Sequence, residues 1–426
     1  MGAGFTDEGL AALDVALAGQ VARGDVPGLV ALVARGGQVH VTSAGHKALG
    51  DGEPIGRDAI FRIASLGKPI AGAAAMMLIE DGAMALGDPV ARWLPELSDR
   101  RVLRRFDAEL TDTVPAAREI TVEDALSFRL GFGLVFAPDP PPIARAEAAL
   151  RLTTLGPPWP PTHLTPDQWI AGLGSLPLID QPGELWRYNT GATVAGILIE
   201  RVAGAPLAEV LSKRVFEPLG MADTGFSVPA AKLGRFTSMY APSVAAAPDS
   251  RPGQADRPGQ AGGGGAASGT GLRLVDPPDG WYAAPPALPD AAGGLVSTID
   301  DLWAFVAMLA ADGGGLLAPE SVRLMLRDRT TARDRAENPW FFGDRSGWGL
   351  MMSVPAAGSG ATDPGAAAAD GMPRGYGWDG GSGTTWRTDP TTGLTGILLT
   401  QRMLTSPEPP EVAREFWSGA HSAIAR

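Results

Sequence analysis

Cysteine is absent from the 426 residues, which excludes disulfides, thiolate metal sites and cysteine nucleophiles without identifying a compartment. Histidine is scarce. His40, His46, His163 and His421 are scattered and none stands beside a second plausible ligand, so no zinc site is expected, and no cofactor is expected either. Basic clusters are also missing. The net charge is -12 and the sequence pI is near 4.9, the wrong balance for a nucleic-acid or anionic-membrane surface, whose affinity comes from clustered Lys and Arg. No uninterrupted apolar run reaches membrane-spanning length. The first residues, Met1 to Glu8, show neither the basic region nor the apolar region of a secretory leader, so a cytoplasmic protein is expected.

A hydrophobic fraction of 45% with 57 Gly and 38 Pro describes a folded chain with many turns. Its length calls for one large core or two lobes sharing an interface. Leu10, Leu13, Leu17 and Val21 mark an amphipathic helix over residues 6–24, with Asp7 and Glu8 in its first turn. Residues 29–34 and 38–42 read as antiparallel strands around Arg35-Gly36-Gly37. Helical periodicity follows over 65–80, 122–128, 165–173, 191–201 and 300–311. Strands are expected over 347–354, 382–388 and 394–402, the last two forming a hairpin, and a helix over 411–425. The stretches 137–161 and 245–271 are poor in core residues and read as exposed Pro- and Gly-rich loops. The expected fold is therefore α/β of the α+β type. Residues 1–64 and 290–426 would form an antiparallel sheet lobe flanked by terminal helices, and residues 65–289 an inserted, mostly helical lobe.

The strongest chemical signal is Ser65-Leu66-Gly67-Lys68, the only Ser-x-x-Lys in the chain, running into an apolar helix. Residues three apart share a helix face, so hydroxyl and amine can meet, and Pro69 suits a first helical turn. A serine hydroxyl is a weak nucleophile, and a lysine activates it only if burial or a neighbouring cation lowers the amine's pKa. An isolated Ser-x-x-Lys is ordinarily a helix cap beside a solvated lysine. Here lysine is rare, four among 35 basic residues, and companion segments follow downstream.

Those segments are Leu86-Gly87-Asp88-Pro89-Val90, the run from Ile120 to Gly133, the run from Gln181 to Asn189, Phe216-Glu217-Pro218-Leu219-Gly220-Met221 and Gly293-Gly294-Leu295-Val296-Ser297-Thr298. Together with Ser65-Leu66-Gly67-Lys68 they resemble the serine β-lactamase and penicillin-binding-protein superfamily, and within it the class C-like family VIII carboxylesterases. The resemblance spans nearly the whole chain and implies a β-lactamase/transpeptidase-like fold. It also implies a second element, Tyr-x-Asn, matched by Tyr188-Asn189-Thr190. Tyr188 would be the general base or share a proton with Lys68, its phenol partly ionised by the ammonium. Thr190 stands where the family has Asn, in a substrate-binding position. The third element, Lys-Thr-Gly or His-x-Gly, is matched by Gly377-Trp378-Asp379-Gly380-Gly381. The resemblance makes the amides of Ser65 and Gly381 the oxyanion hole, with Trp378, Asp379 and Gly380 lining the substrate. Without the cation of Lys-Thr-Gly, and with Asp379 expected to repel a carboxylate, neutral small-molecule esters are the expected substrates. A β-lactamase, a D,D-peptidase-like amidohydrolase and an acyltransferase use the same acyl-enzyme and are the alternatives, and a non-catalytic sensor is the alternative of another class.

Rival chemistries lack their residues. No Gly-x-Ser-x-Gly occurs and no histidine lies in the motif regions, against a Ser-His-Asp triad. The glycines at 262–265 are followed by no Gly-Lys-Ser/Thr, so they read as a linker rather than a phosphate loop. No carboxylate pair is singled out by spacing for glycoside hydrolysis.

Overall fold

The strand Gly28–Arg35 presents no polar side chain before its last residue, and such a strand is stable only with both faces covered. In the computed structural model, which describes residues 4–137, 139–152, 162–243, 271–343, 345–357, 374–406 and 408–425, both faces are. Its strand β1 (Gly28–Arg35) pairs with β2 (Gln38–Gly45) on one side and with the far end of the chain on the other. The remaining strands are β3 (Ser346–Trp348), β4 (Ser353–Pro355), β5 (Tyr376–Gly380), β6 (Thr384–Asp389) and β7 (Leu394–Thr400). They complete a seven-stranded sheet in the order β2-β1-β7-β6-β5-β4-β3, with antiparallel pairing throughout, Leu32 opposite Ile397 and Trp378 opposite Trp386.

Alternation along β1 and β7 divides the core. Leu29, Ala31, Val33, Leu394 and Leu398 face an outer helical layer of α1 (Asp7–Ala22) and the C-terminal helix Glu411–Ser422, which pack on each other. Thr6 caps α1 by accepting from Gly9 N–H. Val30, Leu32, Ile397 and Leu399 face the other way, into a larger core shared with α2 (Gly67–Glu80) and α3 (Thr190–Ala203). Helix α2 is buried from Gly67 through Leu78, as expected of a helix apolar all round. At Gly72 a Cβ would come within 2.9 Å of Met351 Cβ. No helix among the described residues is long and apolar enough to cross a membrane.

Two local expectations are corrected. Residues 347–354 are two short strands, not one. Met351 takes φ 67° in the turn between them, and Gly349 lies so close to the Met325 carbonyl that a side chain would collide with it. The apolar side chains of this stretch hid the turn. The expected loop 137–161 contains the helix Pro142–Ala149, anchored by fully buried Ile143, and Trp169 Nε1 donates to the Leu152 carbonyl at 3.1 Å just beyond it. One apolar residue, Ile143, and the buried Glu147 face inward, which a composition argument misses. Within the two expected loops, residues 138, 153–161 and 245–270 lie outside the described residues.

The short strand Phe61–Arg62 leads to Ser65 and pairs with Val296–Ser297. Behind it lies a buried ion pair. Arg62 Nε donates to Asp276 Oδ2 at 2.9 Å, its Nη1 to the Thr237 carbonyl at 2.6 Å, and its guanidinium stacks 4.0 Å from the Phe236 ring centroid. Asp276 also accepts from Trp281 N–H at 3.0 Å. Both side chains are almost fully buried. Removing one partner of such a pair leaves an uncompensated buried charge, whereas replacing both with apolar groups often does not. Asp276→Ala is therefore expected to destabilise by about 3–5 kcal/mol, and Arg62→Met/Asp276→Leu to recover most of that loss; thermal and urea midpoints of the three proteins check it.

Candidate active site

Ser65 lies in a 3-10 turn, Ala64–Leu66, that immediately precedes α2. Ala64, just before it, takes φ 46°, a backbone region in which L side chains are crowded and which collects at functional sites. The turn is clamped from the sheet side. Ser382 Oγ donates to the Arg62 carbonyl, Thr384 Oγ1 to the Ile63 carbonyl at 3.1 Å, and Ile63 N–H to the Leu295 carbonyl at 3.0 Å. Gly380 at the end of β5 comes so close to the Ile63 carbonyl that any side chain there would collide with it. Gly381 follows, its carbonyl accepting from Leu404 N–H at 2.9 Å.

Lys68 sits one turn beyond Ser65 and is fully buried. Its Nζ donates to Ser65 Oγ at 2.7 Å and to the Ala292 carbonyl, and lies 4.9 Å from the centroid of the Tyr188 ring. The Tyr188 hydroxyl donates to Ser65 Oγ at 3.0 Å and accepts from Trp378 Nε1 at 2.8 Å. An indole N–H can only donate, so the phenol proton is left to face Ser65. Tyr188 is held by its chain neighbours. Arg187 N–H donates to the Phe128 carbonyl at 2.8 Å, Trp186 N–H to Asp334 Oδ1 at 2.7 Å, and Asn189 takes φ 80° at the start of α3. Around its ring stand Phe341 (centroids 4.8 Å apart), Trp378 (5.6 Å), Trp186 (5.8 Å), Phe128 (6.0 Å) and Trp348 (6.2 Å). Phe136, exposed, extends this wall outward at 6.0 Å from Phe341.

Burial acts oppositely on the two proton carriers, because it disfavours whichever form is charged. It brings the Lys68 amine down to about 7, against a smaller opposing pull from the Asp290 carboxylate. It pushes the Tyr188 phenol up to about 12, although the hydrogen bonds to Ser65 and Trp378 pull the other way. The expectation of a partly ionised phenol is thereby corrected. With the phenol pushed up and the amine brought down, a proton shared between them rests on the phenol, and near neutrality the available base is the amine.

The structure thus brings together Ser65, Lys68, Tyr188 and Trp378, with Gly380 and Gly381 alongside the Ser65 turn. Asp379 is not with them. Successive side chains of a strand point to opposite faces; Trp378 turns to Tyr188, while Asp379 pairs with Arg387 of β6 through contacts of 2.7 and 3.1 Å. It shares a small cavity with Pro409, Pro410 and Ala413 under the C-terminal helix. Thr190 is buried in the first turn of α3, and among the described residues no hydrogen bond joins its side chain to Ser65, Lys68 or Tyr188. The sequence reading missed the Ala292 carbonyl, a backbone atom with no signature of its own, and the aromatic wall, whose members come from four separate segments.

Comparison with known proteins shows the family. The family model described as Beta-lactamase matches residues 13–418. Protein Rv1367c of Mycobacterium tuberculosis is 36% identical over 374 residues, 85% of this chain and 82% of its own. Esterase EstB of Burkholderia gladioli is 28% identical over 390 residues, 88% of this chain and 85% of its own. Among solved structures, EstCE1, described as a hydrolase with promiscuous acyltransferase activity, superposes with a TM-score of 0.72 at 22% identity, covering 97% of this chain and 99% of its own. The mixed helix and antiparallel-sheet fold is β-lactamase/transpeptidase-like. The chain belongs to the Beta-lactamase family and is a serine hydrolase of the serine β-lactamase and penicillin-binding-protein superfamily.

Proposed function

We propose that the protein hydrolyses neutral carboxylic esters through an acyl-enzyme on Ser65. The observation that carries this reading is the pair of contacts on one oxygen: a buried amine with a pKa of about 7 at 2.7 Å from Ser65 Oγ and a protonated phenol at 3.0 Å. Neutral Lys68 takes the Ser65 proton as Oγ bonds to the ester carbonyl carbon. The oxyanion is received by the N–H groups of Ser65 and Gly381. The carbon–oxygen bond to the alcohol then breaks, Tyr188 gives the leaving oxygen its proton, and the Lys68 ammonium restores the phenol. Water enters by the reverse path, its proton going to Lys68 and the serine regaining its own as the acid leaves. No step asks for a cofactor.

Esters are favoured over carboxylate-bearing amides because no cation faces the substrate from β5. Trp378 occupies that position, and the nearby Arg387 is committed to Asp379. The aromatic wall supports an apolar alcohol or acyl group, and it also favours an alcohol over water as acyl acceptor. Acyl transfer is the second reading, read out by product partition with added alcohols.

On short-chain nitrophenyl esters, Ser65→Ala and Lys68→Ala are expected to lower kcat/KM by at least about 10³-fold and Tyr188→Phe by about 10²–10⁴-fold. Undiminished hydrolysis by Ser65→Ala would overturn the reading. With Lys68 as base, wild-type kcat/KM should rise with pH through about 7 as the amine loses its proton, then level off.

The same depressed pKa predicts a stability profile. The folded amine releases its proton near 7 and the unfolded one near 10.5, so between those values the unfolded chain binds more protons. The penalty for burying Lys68 is therefore complete below about 7 and fades as pH rises. Wild-type stability should climb relative to Lys68→Met across pH 7–9.5, at up to roughly 1.4 kcal/mol per pH unit, measured by denaturant titration of both proteins.

A further inference from the structure

The Ala292 carbonyl accepts from Lys68 Nζ and lies 3.4 Å from Ser65 Oγ. A peptide group can serve two side chains of a site in this way only if its own plane is held. The Ala292 N–H donates to Asp290 Oδ1 at 2.9 Å, and Thr193 Oγ1, in the first turn of α3, donates to the same oxygen at 2.9 Å. The N–H groups of Gly293 and Gly294 close the turn on the Asp290 carbonyl at 3.2 and 2.8 Å. Asp290 is 4% exposed, so its carboxylate is a charge removed from water.

We propose that Asp290 is a positioning residue for the reaction: it aims the Ala292 carbonyl at the Lys68 amine and sets a buried negative charge beside it. The proposal rests on the hydrolase reading of Ser65 and Lys68. Burial alone would leave the amine neutral so firmly that it could not hold a proton taken from Ser65, whereas a catalytic base works best with a pKa near the operating pH. A carboxylate acting through a low-dielectric interior opposes burial and keeps the ammonium within reach. Thr193 links this device to the helix that begins directly after Tyr188, so the base and the acid share one support.

Other charges do not duplicate it. Facing Lys68 are the Ser65 hydroxyl, the Tyr188 phenol and the Asp290 turn. Asp379, beyond Tyr188, is paired with Arg387. On α2 itself the next carboxylate, Glu80, is twelve residues on, roughly 18 Å along the axis, where it accepts from Ala318 N–H; Asp81 beyond it pairs with Arg214. Asp290 in turn is faced by Tyr282, and the Arg62–Asp276 pair behind that ring is internally neutral.

The test uses the rarity of lysine. With four in the chain, Lys47, Lys68, Lys213 and Lys232, ¹³C labelling of lysine ε-carbons gives four NMR signals, and the one missing from Lys68→Ala is assigned. Asp290→Asn keeps the acceptor oxygen and deletes the charge. The Lys68 titration midpoint is expected to fall by about one pH unit or more, and the acid limb of kcat/KM to move down with it. Thr193→Val removes a donor from the carboxylate and leaves the charge less compensated, so the midpoint should move up. A folded Asp290→Asn protein with an unchanged or raised midpoint overturns the proposal. Should that variant not fold, a Thr193→Val midpoint that stays or falls overturns it equally. If the midpoints move as expected while the wild type shows no Ser65-dependent ester hydrolysis, the hydrolase reading fails and the assignment to catalysis fails with it, leaving the electrostatic link as measured.

Discussion

The Lys68 amine is fully buried, and much of the surrounding structure answers the problem this creates. A charge buried without partners is prohibitively costly, yet in the proposed reaction the base that removes the Ser65 proton must become charged for part of each cycle. The pocket supplies what an ammonium needs and little more. Its three N–H groups meet the Ser65 oxygen, the Ala292 carbonyl and the face of the Tyr188 ring, the last a cation–π contact of the kind that gains strength when desolvated. Helix α2, which carries the amine, is itself buried from Gly67 through Leu78. The resting site therefore favours the neutral amine, and the attacking state has its acceptors already in place.

Holding three acceptors in place requires backbone that a relaxed chain would not adopt. Ala64, Phe128, Asn189 and Met351 all take positive φ, at a cost on the order of 1–3 kcal/mol each. All four lie close to the site: before Ser65, against the Tyr188 ring, after Tyr188, and in the turn between β3 and β4 that meets α2 at Gly72. The opposing restraints are buried and half-buried ion pairs just behind these turns. Arg62 and Asp276 secure the strand into Ser65. Arg129 and Asp334 tie the Gly183 carbonyl and Trp186 N–H to the helix Ala332–Glu337, and Arg187 pairs with Asp180 beside Tyr188. The strain and the ion pairs belong to one design, in which rigid surroundings replace local comfort.

How much of this was legible in the sequence follows from the range of each interaction. The strands β1, β2, β6 and β7 and the helices α1, α2 and α3 came from local pattern, and Ser65 and Lys68 from a three-residue spacing on one helix. Tyr188, Trp378 and Gly381 were reached by resemblance, because nothing local marks a tyrosine 123 residues from the serine it touches. What failed were inferences that needed a direction. Asp379 was placed in the substrate wall since its neighbours belong there, but a strand sends adjacent side chains to opposite faces. The ionised phenol failed likewise: adjacency to Lys68 was legible, whereas the depth of burial was not. The helix Pro142–Ala149 was hidden by its composition.

The alternation that removes Asp379 from the site also changes why, in the proposed reaction, a carboxylate-bearing substrate would be disfavoured. Repulsion by Asp379 is not the cause, since Arg387 neutralises it on the far face. Of the residues around Trp378, those on the site face are Trp378 itself and Gly380, which abuts the Ala64 turn. The indole N–H of Trp378 would be the natural donor to a substrate anion, but Tyr188 already occupies it. A carboxylate brought against β5 would lose its water and gain neither cation nor donor, which costs several kcal/mol, and the same indole keeps the phenol proton turned toward Ser65. The proposed substrate preference and the proposed acid role of Tyr188 are therefore consequences of one hydrogen bond.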